Sequence, residues 1–269
     1  MVVFPPCKIN LGLNIIRKRS DGYHDIESVF MPIPMRDVLE AVPKLDEGAK
    51  GMSLHLSGLS IPGKDNILNN IWHTLSGLRN LSPVNVYLHK VIPFGAGLGG
   101  GSSDAAWFIR LLNEMLDLKL SKEEMHQAAL SVGSDCPFFL YDQACFVQGR
   151  GEIISPLDFS LKDKFVLLVF PEVHISTAEA YAGVFPEDQQ RNIPEILLKP
   201  IQNWKELLFN DFEKSIFPKY PQLREIKEML YSMGALYASM SGSGSTIFGI
   251  FEKPIHTLPA NLKHFCASL

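Results

Sequence analysis

An alternation of hydrophobic and polar positions marks the first predicted element, which covers residues 6–15. Hydrophobic residues occupy every second position, and polar residues or glycine separate them, as in a strand with one buried face. The hydrophobic positions are Cys7, Ile9, Leu11, Leu13 and Ile15. The turn signal Asp21-Gly22 and a second strand-like run over 26–31 follow, so the pattern predicts a β-hairpin.

Helical and extended patterns continue along the rest of the chain. The predicted elements are a helix over 66–78, strands over 84–89, 165–170 and 246–251, and helices that begin at Ser102 and Ser121. The sequence Ser121-Lys-Glu-Glu124 has the spacing of a capping box, which favours a helix start at its serine.

Length and charge limit the classes of protein that the chain can belong to. Its 269 residues are enough for roughly two domains at about 150 residues each. The pattern changes near residue 160, so we predict one domain over 1–158 and another over 159–269. The net charge of −4 argues against nucleic acid as the main partner, because duplex binding needs a basic face.

The cysteines and the hydrophobic runs indicate the compartment. Cys7, Cys136, Cys145 and Cys266 form no CxxC pair and no Cys/His cluster with zinc spacing. Scattered thiols fit a reducing compartment better than a disulfide framework. The sequence has no signal or transit pattern, and no apolar run reaches the roughly 18 residues of a membrane span. We therefore expect a cytoplasmic protein with no membrane partner, whose oligomeric state the sequence does not fix.

The most informative stretch is the glycine-rich sequence from Pro93 to Ser103. Its glycines remove Cβ atoms, which permits positive φ and lets a ligand approach the main chain closely. The predicted helix then offers free N–H groups and a partial positive charge, which suit a phosphate group. A flexible linker is the alternative, but a strand before the loop and a helix after it hold both of its ends. The glycines are Gly95, Gly97, Gly99, Gly100 and Gly101.

Three phosphate-binding motifs fit this loop poorly. A Walker A loop needs a lysine after its last glycine, where this chain has Ser102. Gly95, Gly97 and Gly100 satisfy GxGxxG, but a dinucleotide-binding fold continues with a strand, whereas a second helix is predicted at Ser121. A protein-kinase loop needs HRD and DFG companions, and the sequence contains neither.

The full pattern over 93–106, Pro-x-Gly-x-Gly-Leu-Gly-Gly-Gly-Ser-Ser-Asp-Ala-Ala, resembles the phosphate loop of the GHMP kinases. This superfamily is named after galactokinase, homoserine kinase, mevalonate kinase and phosphomevalonate kinase. Other segments match in the family's order, and they point to a branch whose substrate is a small alcohol carrying a cytidine diphosphate. These segments are Pro6-Cys-Lys-Ile-Asn-Leu11, Asp21-Gly-Tyr-His24, Gly133-Ser-Asp-Cys-Pro-Phe-Phe139 and Ser241-Gly-Ser-Gly-Ser245. The departures from the family pattern, Cys7, Ser134 and Cys136, are small.

The resemblance implies an α+β fold of two domains, with the active-site cleft between them, and an ATP-dependent kinase that phosphorylates a hydroxyl group. Mg²⁺ is expected with ATP, because the ion offsets the phosphate charge. No Asp/Glu cluster marks a dedicated metal site, although a loop serine could supply a ligand. The resemblance implies that Asn66 and Lys90 lie near the adenine of ATP. The other implied ATP-binding residues are Pro93, Phe94, Gly95, Ala96, Gly97, Leu98, Gly99, Gly100, Gly101, Ser102 and Ser103.

Lys8 and Asp135 are the catalytic residues that the resemblance implies. On residue type alone, Lys8 is typical of a solvated edge position, and Asp135 of a turn next to glycine and proline. In the resembling family the lysine neutralises charge near the transferring phosphoryl group, and the aspartate accepts the proton of the attacking hydroxyl. Asp104 is the rival carboxylate, and we assign it to a helix N-terminus, where negative charge is favoured in any protein.

The implied substrate pocket draws on the hairpin turn and on the second half of the chain. Tyr23 and His24 would otherwise be ordinary hairpin surface, whereas the family pattern sets an aromatic ring against the cytosine and a histidine at its edge. Tyr181 falls where the family has a second ring. Bare N–H groups of the second glycine turn would approach the phosphates or the polyol. The implied substrate-binding residues are Asn10, Tyr23, His24, Tyr181, Ser241, Gly242, Ser243 and Gly244.

Two alternative functions stay open. The chain could be a GHMP kinase for another alcohol, such as homoserine or mevalonate. It could also be a catalytically silent ligand sensor on the same fold, although the presence of both Lys8 and Asp135 speaks against that interpretation.

Overall fold

The computed structural model describes residues 1–46, 48–63, 65–184 and 191–269. The chain forms two compact units, each assembled from several segments. Unit 1 consists of Met1–Cys7, Met35–Phe94 and Gly99–Asp142. Unit 2 consists of Lys8–Pro34, Gly95–Leu98 and Gln143–Leu269. Both units combine helices with strands, which confirms the predicted α+β class. The domain boundary at residue 159 stays a prediction.

The described chain contains the eight predicted elements, together with strands and helices that the sequence pattern did not predict. The strands are β1 (Val2–Val3), β2 (Pro6–Lys18), β3 (His24–Arg36), β4 (Val38–Pro43), β5 (Met52–Gly58), β6 (Val84–Lys90), β7 (Cys145–Gly149), β8 (Ile153–Pro156), β9 (Phe165–Phe170), β10 (Tyr237–Met240), β11 (Ile247–Phe251) and β12 (Lys263–Ser268). The helices are α1 (Ile67–Leu78), α2 (Gly100–Met115), α3 (Lys122–Leu130), α4 (Thr177–Ala182), α5 (Ile193–Leu197), α6 (Trp204–Leu207), α7 (Glu213–Ile216) and α8 (Pro221–Ser232). Short 3₁₀ helices cover Cys136–Leu140 and Ile201–Asn203.

A mixed sheet with the strand order β1-β4-β6-β5 is the framework of unit 1. β5 and β6 are parallel, and α1 provides the crossover that a parallel pair requires. Along β6, Val84, Val86 and Leu88 are buried, whereas Tyr87 and His89 point to the exposed side. The buried face packs with α1, α2 and α3 around a core that includes Leu39, Ala41, Leu68, Ile71, Leu75, Phe108, Ile109 and Leu112.

Side-chain caps fix where two helices of unit 1 begin. The Oδ1 of Asn66 accepts a hydrogen bond from the Leu68 N–H at 3.0 Å, which starts α1 at the predicted position. The predicted capping box of α3 is confirmed, since Ser121 and Glu124 each bond the other's backbone N–H.

Unit 2 contains two four-stranded sheets, ordered β2-β3-β7-β8 and β10-β11-β9-β12. The predicted hairpin is present: the Arg19 N–H donates to the Tyr23 carbonyl at 2.8 Å, and Gly22 takes the positive φ of 86° that the turn needs. The core of the unit joins residues of β9 and β11 to α8, whose buried positions Leu223, Ile226 and Leu230 recur at helical spacing.

All four cysteines lie in the described chain, and none of them forms a disulfide. Within the four described ranges, no helix combines the length and the apolar character that a membrane crossing requires.

Candidate active site

The glycine-rich loop ends in the first turn of α2. Gly99 precedes the helix in a left-handed conformation with φ of 69°, and no side chain of the described residues caps it. The first N–H groups of the helix therefore have no partner inside it and are suited to an anion. The helix begins at Gly100, two residues earlier than predicted. Gly100 has a helical conformation, and packing requires a residue without a side chain there, since a Cβ would lie 2.8 Å from Cγ2 of Ile92.

The middle of the loop, residues 95–98, packs on the second glycine turn within unit 2. The Ser241 Oγ donates to the Gly97 carbonyl oxygen at 2.9 Å, and the Thr246 N–H donates to the Ala96 oxygen at 3.2 Å. A Cβ on Gly97, whose φ is 77°, would lie 2.0 Å from the Ser241 carbonyl oxygen. Gly97 is therefore required by contact with another part of the backbone and not by the approach of a ligand.

Asn210, which we did not single out from the sequence, holds the second glycine turn in place. Its Nδ2 donates to the carbonyl oxygens of Met240 and Gly242, both at 2.8 Å. Its Oδ1 accepts the Phe212 N–H at 3.0 Å, so the buried amide is bonded on both sides. An isolated asparagine in a segment without a motif carries no sequence signal for this role.

The polar face of β2 is buried, which corrects the expectation of a half-buried strand. Every residue from Pro6 to Ile15 is buried, including Lys8 and Asn10, which are 3% and 1% exposed. The interpretation of Lys8 as a solvated edge residue is therefore wrong. The alternation still identifies two faces, but it cannot show that the polar face is also covered.

A hydrogen-bond chain makes this burial possible. The Lys8 Nζ donates to Asn10 Oδ1 at 2.6 Å, Asn10 Nδ2 donates to Ser28 Oγ at 2.9 Å, and Ser28 Oγ donates to the Gly12 carbonyl at 2.6 Å. The ammonium also lies 4.4 Å from the centre of the Phe30 ring. The Lys8 main-chain N–H donates to the Leu98 oxygen at 3.0 Å, which connects β2 with the loop. These contacts hold the Lys8 ammonium in one position and orientation.

Asp135 lies in unit 1, immediately before the 3₁₀ helix Cys136–Leu140. It is half-buried, and the Cys136 N–H donates to the Gly133 oxygen at 3.1 Å to form the turn. The Cys136 side chain lies beside Ser102, and the 3₁₀ helix packs against α2, so the residue after Asp135 is close to the first turn of α2. Burial raises the pKa of Cys136 to about 12, which keeps the thiol protonated at neutral pH. The structure thus brings the Asp135 turn to the end of the glycine-rich loop.

The structure corrects our assignment of Asp104. This residue lies in the second turn of α2, is 2% exposed, and accepts a hydrogen bond from the Lys90 Nζ at 2.7 Å. Burial raises the pKa of Asp104 to about 8, although the neighbouring Lys90 charge opposes that shift. The carboxyl group therefore belongs to a buried cluster and does not serve as a helix-terminal charge.

Lys90 is the centre of that cluster. It is the last residue of β6, and its ammonium donates to Asp37 as well as to Asp104. Asp37 lies between β3 and β4 and was not singled out from the sequence, because a lone aspartate between two strands matches no motif. The predicted places of Lys90 and Asn66 near adenine stay predictions.

Two aromatic contacts occur among the predicted substrate-binding residues. His24 and Tyr181 stack with ring centres 4.7 Å apart and an angle of 19° between their planes. Tyr23 is exposed and lies under the Arg150 guanidinium, 4.9 Å from the ring centre. Burial, followed by the charge of Lys18, lowers the pKa of His24, so its ring is neutral at pH 7. The structure thus pairs Tyr181 with His24, and the contact of Tyr23 and Tyr181 with the base stays a prediction.

Comparisons with known families cover both halves of the chain. The model described as GHMP kinases N terminal domain matches residues 66–146, and the model described as GHMP kinases C terminal matches residues 192–261. The chain is 48% identical to the 4-diphosphocytidyl-2-C-methyl-D-erythritol kinase of Bacteroides fragilis, over 94% of this chain and 92% of that protein. It is 46% identical to the protein of the same name from Cytophaga hutchinsonii, over 97% and 96% of the two chains.

Solved structures give the same picture of the fold. A crystal structure of 4-(cytidine 5'-diphospho)-2C-methyl-D-erythritol kinase superposes with a TM-score of 0.80 at 31% identity, covering 94% of this chain and 91% of the other. The mevalonate kinase of Methanococcus jannaschii has a TM-score of 0.70 at 15% identity, covering 100% of this chain and 98% of the other. At this low identity, the second likeness concerns the fold alone.

Proposed function

We propose that this chain, which belongs to the 4-diphosphocytidyl-2-C-methyl-D-erythritol kinase family of the GHMP kinases, transfers the γ-phosphoryl group of ATP to the 2-hydroxyl of 4-diphosphocytidyl-2-C-methyl-D-erythritol. The products are the 2-phosphate and ADP, within the non-mevalonate route to isoprenoid precursors. The observation that carries the proposal is the uncapped first turn of α2, which follows the glycine-rich loop and contacts the Asp135 turn through Ser102.

The main chain of the loop would hold the phosphates of ATP. Phosphoryl transfer requires little covalent chemistry from the protein, so positioning and charge stabilisation supply most of the rate. The N–H groups of Gly100, Gly101 and Ser102 would hold phosphate oxygens at the positive end of α2. The remaining members of the glycine-rich loop, with Asn66, would shape the rest of the nucleotide site.

Asp135 and Lys8 would have different parts in the transfer. The Asp135 carboxylate would accept the proton of the 2-hydroxyl as that oxygen attacks the γ-phosphorus. The Lys8 ammonium, oriented by Asn10, would offset negative charge on the phosphoryl group during transfer. Because Lys8 is already hydrogen-bonded and nearly fully buried, its orientation costs little extra entropy when the substrate binds.

The cytidine end of the substrate would bind at the aromatic residues of unit 2. The neutral ring of His24 would hydrogen-bond the edge of the cytosine, and Tyr23 and Tyr181 would contact its faces. Tyr181 is braced by an edge-on contact with Phe212, with ring centres 4.9 Å apart. The turn formed by Ser241, Gly242, Ser243 and Gly244 would contribute main-chain N–H groups to the diphosphate or the polyol.

Magnesium would reach the site with ATP and offset the phosphate charge during transfer. The residues at the end of the loop fit an ion of this kind, because the Ser103 Oγ is buried and finds no hydrogen-bond partner among the described residues. Mg²⁺ commonly needs only one or two protein ligands besides phosphate and water. Ser102 or Ser103 would be the protein ligand of the ion.

The cytoplasmic location expected from the sequence stays a prediction.

An ADP-release assay on the purified chain tests the proposed function. 4-Diphosphocytidyl-2-C-methyl-D-erythritol, homoserine and mevalonate would be compared as acceptors with MgATP. We expect turnover with the first acceptor and none with the other two above the rate without acceptor. Turnover with homoserine or mevalonate alone would identify a different GHMP kinase, and no turnover with any acceptor would support the ligand-sensor alternative.

A further inference from the structure

A buried cluster of three ionisable residues lies next to the two ends of the glycine-rich loop in unit 1. Lys90, Asp37 and Asp104 are 4%, 0% and 2% exposed. The Lys90 ammonium donates to Oδ2 of Asp37 and, at 2.7 Å, to Oδ2 of Asp104. Buried ionisable groups are costly unless they are paired, so a cluster of two carboxyl groups and one ammonium needs an explanation beyond stability.

Each member of the cluster comes from a different place around the loop. Lys90 ends the strand that leads into the loop, and Asp104 lies in the helix that follows it. Asp37 comes from the link between β3 and β4, and its Oδ1 accepts the main-chain N–H groups of Val91 at 2.6 Å and Ile92 at 2.9 Å. Asp37 therefore fixes the two residues that immediately precede Pro93.

The two ends of the loop are in direct contact at this cluster. A Cβ on Gly100 would lie 2.8 Å from the Ile92 side chain and 3.4 Å from the Lys90 Nζ. The ammonium is therefore next to the first residue of α2 while it bonds a carboxylate from the helix's second turn. One cation thus joins the entry of the loop to its exit.

From this geometry we infer that Lys90, Asp37 and Asp104 form a positioning device that closes the base of the phosphate loop and so orients the first-turn N–H groups of α2 toward the phosphates of ATP. The inference rests on the proposed binding of ATP at the loop. It gives Lys90 an indirect part, because its ammonium is already bonded to two carboxylates. This role differs from the adenine contact that the family resemblance implies for Lys90.

The sharpest test compares Asp104→Asn with Asp104→Leu, which are similar in size and remove the same ionisable group. Asparagine keeps an oxygen that can accept from the Lys90 ammonium, whereas leucine cuts the connection and leaves Lys90 paired with Asp37. Binding would be measured by calorimetry with a non-hydrolysable ATP analogue and, separately, with inorganic tripolyphosphate. The control is Arg110→Met. Arg110 lies on α2, as Asp104 does, and the change breaks its exposed ion pair with Asp142.

We expect Asp104→Asn and Arg110→Met to bind both probes within about threefold of the unaltered chain. Asp104→Leu should bind both probes more weakly by roughly tenfold to a hundredfold, the range for losing a charge-assisted hydrogen bond. Its thermal midpoint should stay near that of Asp104→Asn, and the KM for the alcohol substrate should not change. A folded Asp104→Leu variant that binds both probes as well as Asp104→Asn would overturn the inference.

Lys90→Met combined with Asp104→Asn separates positioning from direct contact with the nucleoside. The double variant removes the ammonium and one of the carboxylates that it would otherwise leave unpaired. Positioning predicts that affinity for tripolyphosphate falls by the same factor as affinity for the ATP analogue. Loss of the ATP analogue alone would show that Lys90 contacts the nucleoside, and the inference would be wrong. Both probes report on the phosphate donor, so the identity of the alcohol substrate is tested independently.

Discussion

Gly97→Ala is the change for which the structure predicts the largest effect from a single methyl group. The new Cβ would lie 2.0 Å from the carbonyl oxygen of Ser241 and 3.1 Å from that of Gly244. Both neighbours are main-chain atoms, so no side-chain rotation can relieve the contact. Alanine would also have to keep a φ of 77°, which costs about 1–2 kcal/mol for a residue with a Cβ.

The Ser241 carbonyl cannot move without losing hydrogen bonds. It accepts the Gly244 N–H at 3.0 Å, while the Ser241 N–H donates to Thr246 and its Oγ donates to Gly97. Breaking two such bonds costs about 1–3 kcal/mol, since each contributes roughly 0.5–1.5 kcal/mol. With the backbone term, we expect a loss of about 2–5 kcal/mol in the free energy of unfolding.

Thermal unfolding and ATP kinetics measure this loss in two ways. A chain of this size should show a midpoint that is roughly 4–20 °C lower, from about 2–4 °C for each kcal/mol. If the loop moves to accommodate the methyl group instead, the KM for ATP should rise. Gly77→Ala is the matched control, because its Cβ has open space on α1 and should be neutral or mildly stabilising. A Gly97→Ala variant with unchanged midpoint and unchanged KM would refute the contact that we describe.

Three further predictions concern chemistry and binding. Asp135→Asn should lower kcat by about 10²–10⁴ with little change in nucleotide affinity, and Lys8→Met should also lower kcat. In the double variant the two losses should be less than additive, and pre-steady-state turnover measures all three variants. Tyr23→Ala and Tyr181→Ala should each weaken binding of the cytidine substrate by about 1–3 kcal/mol while ATP affinity stays level; if calorimetry shows the reverse, the two pockets are exchanged. Gly101→Ala should keep or raise the thermal midpoint but weaken ATP binding, which calorimetry with a non-hydrolysable analogue would detect.

Local patterns were sufficient to predict eight of the twenty strands and α-helices in the described chain. The alternation over 6–15, the capping box at Ser121 and the turn at Asp21-Gly22 each specify a structure through interactions within a few residues. The predicted start of α2 was two residues too late, because glycine has a low helix propensity and was not expected inside the helix. Gly100 is small because its backbone lies against the Ile92 side chain, a contact that helix signals in the sequence do not show.

Buried polar networks were the part of the site that could not be predicted. Lys8 was recognised through the family resemblance, but its residue type indicated a solvated position. Its burial is explained by contacts such as the bond to Asn10, which Ser28 supports in turn. Asp37 and Asn210 were missed because each acts on main-chain groups far along the chain. A side chain that bonds backbone atoms leaves no characteristic spacing, since any residue can supply those atoms.

The glycines of the phosphate loop show why a single motif needs several explanations. Gly97 is small because the Ser241 main chain lies against it, and Gly100 because Ile92 does. Gly101 has no described atom within 4 Å of its Cβ position and needs no positive φ, so the protein's own packing does not require a glycine there. Helix propensity even opposes it, by roughly 1 kcal/mol relative to alanine. At the uncapped start of a helix, the missing side chain of Gly101 leaves space for the phosphate that we propose to bind there. Gly101 is therefore the loop position at which a single methyl group tests the proposed phosphate site without a packing conflict.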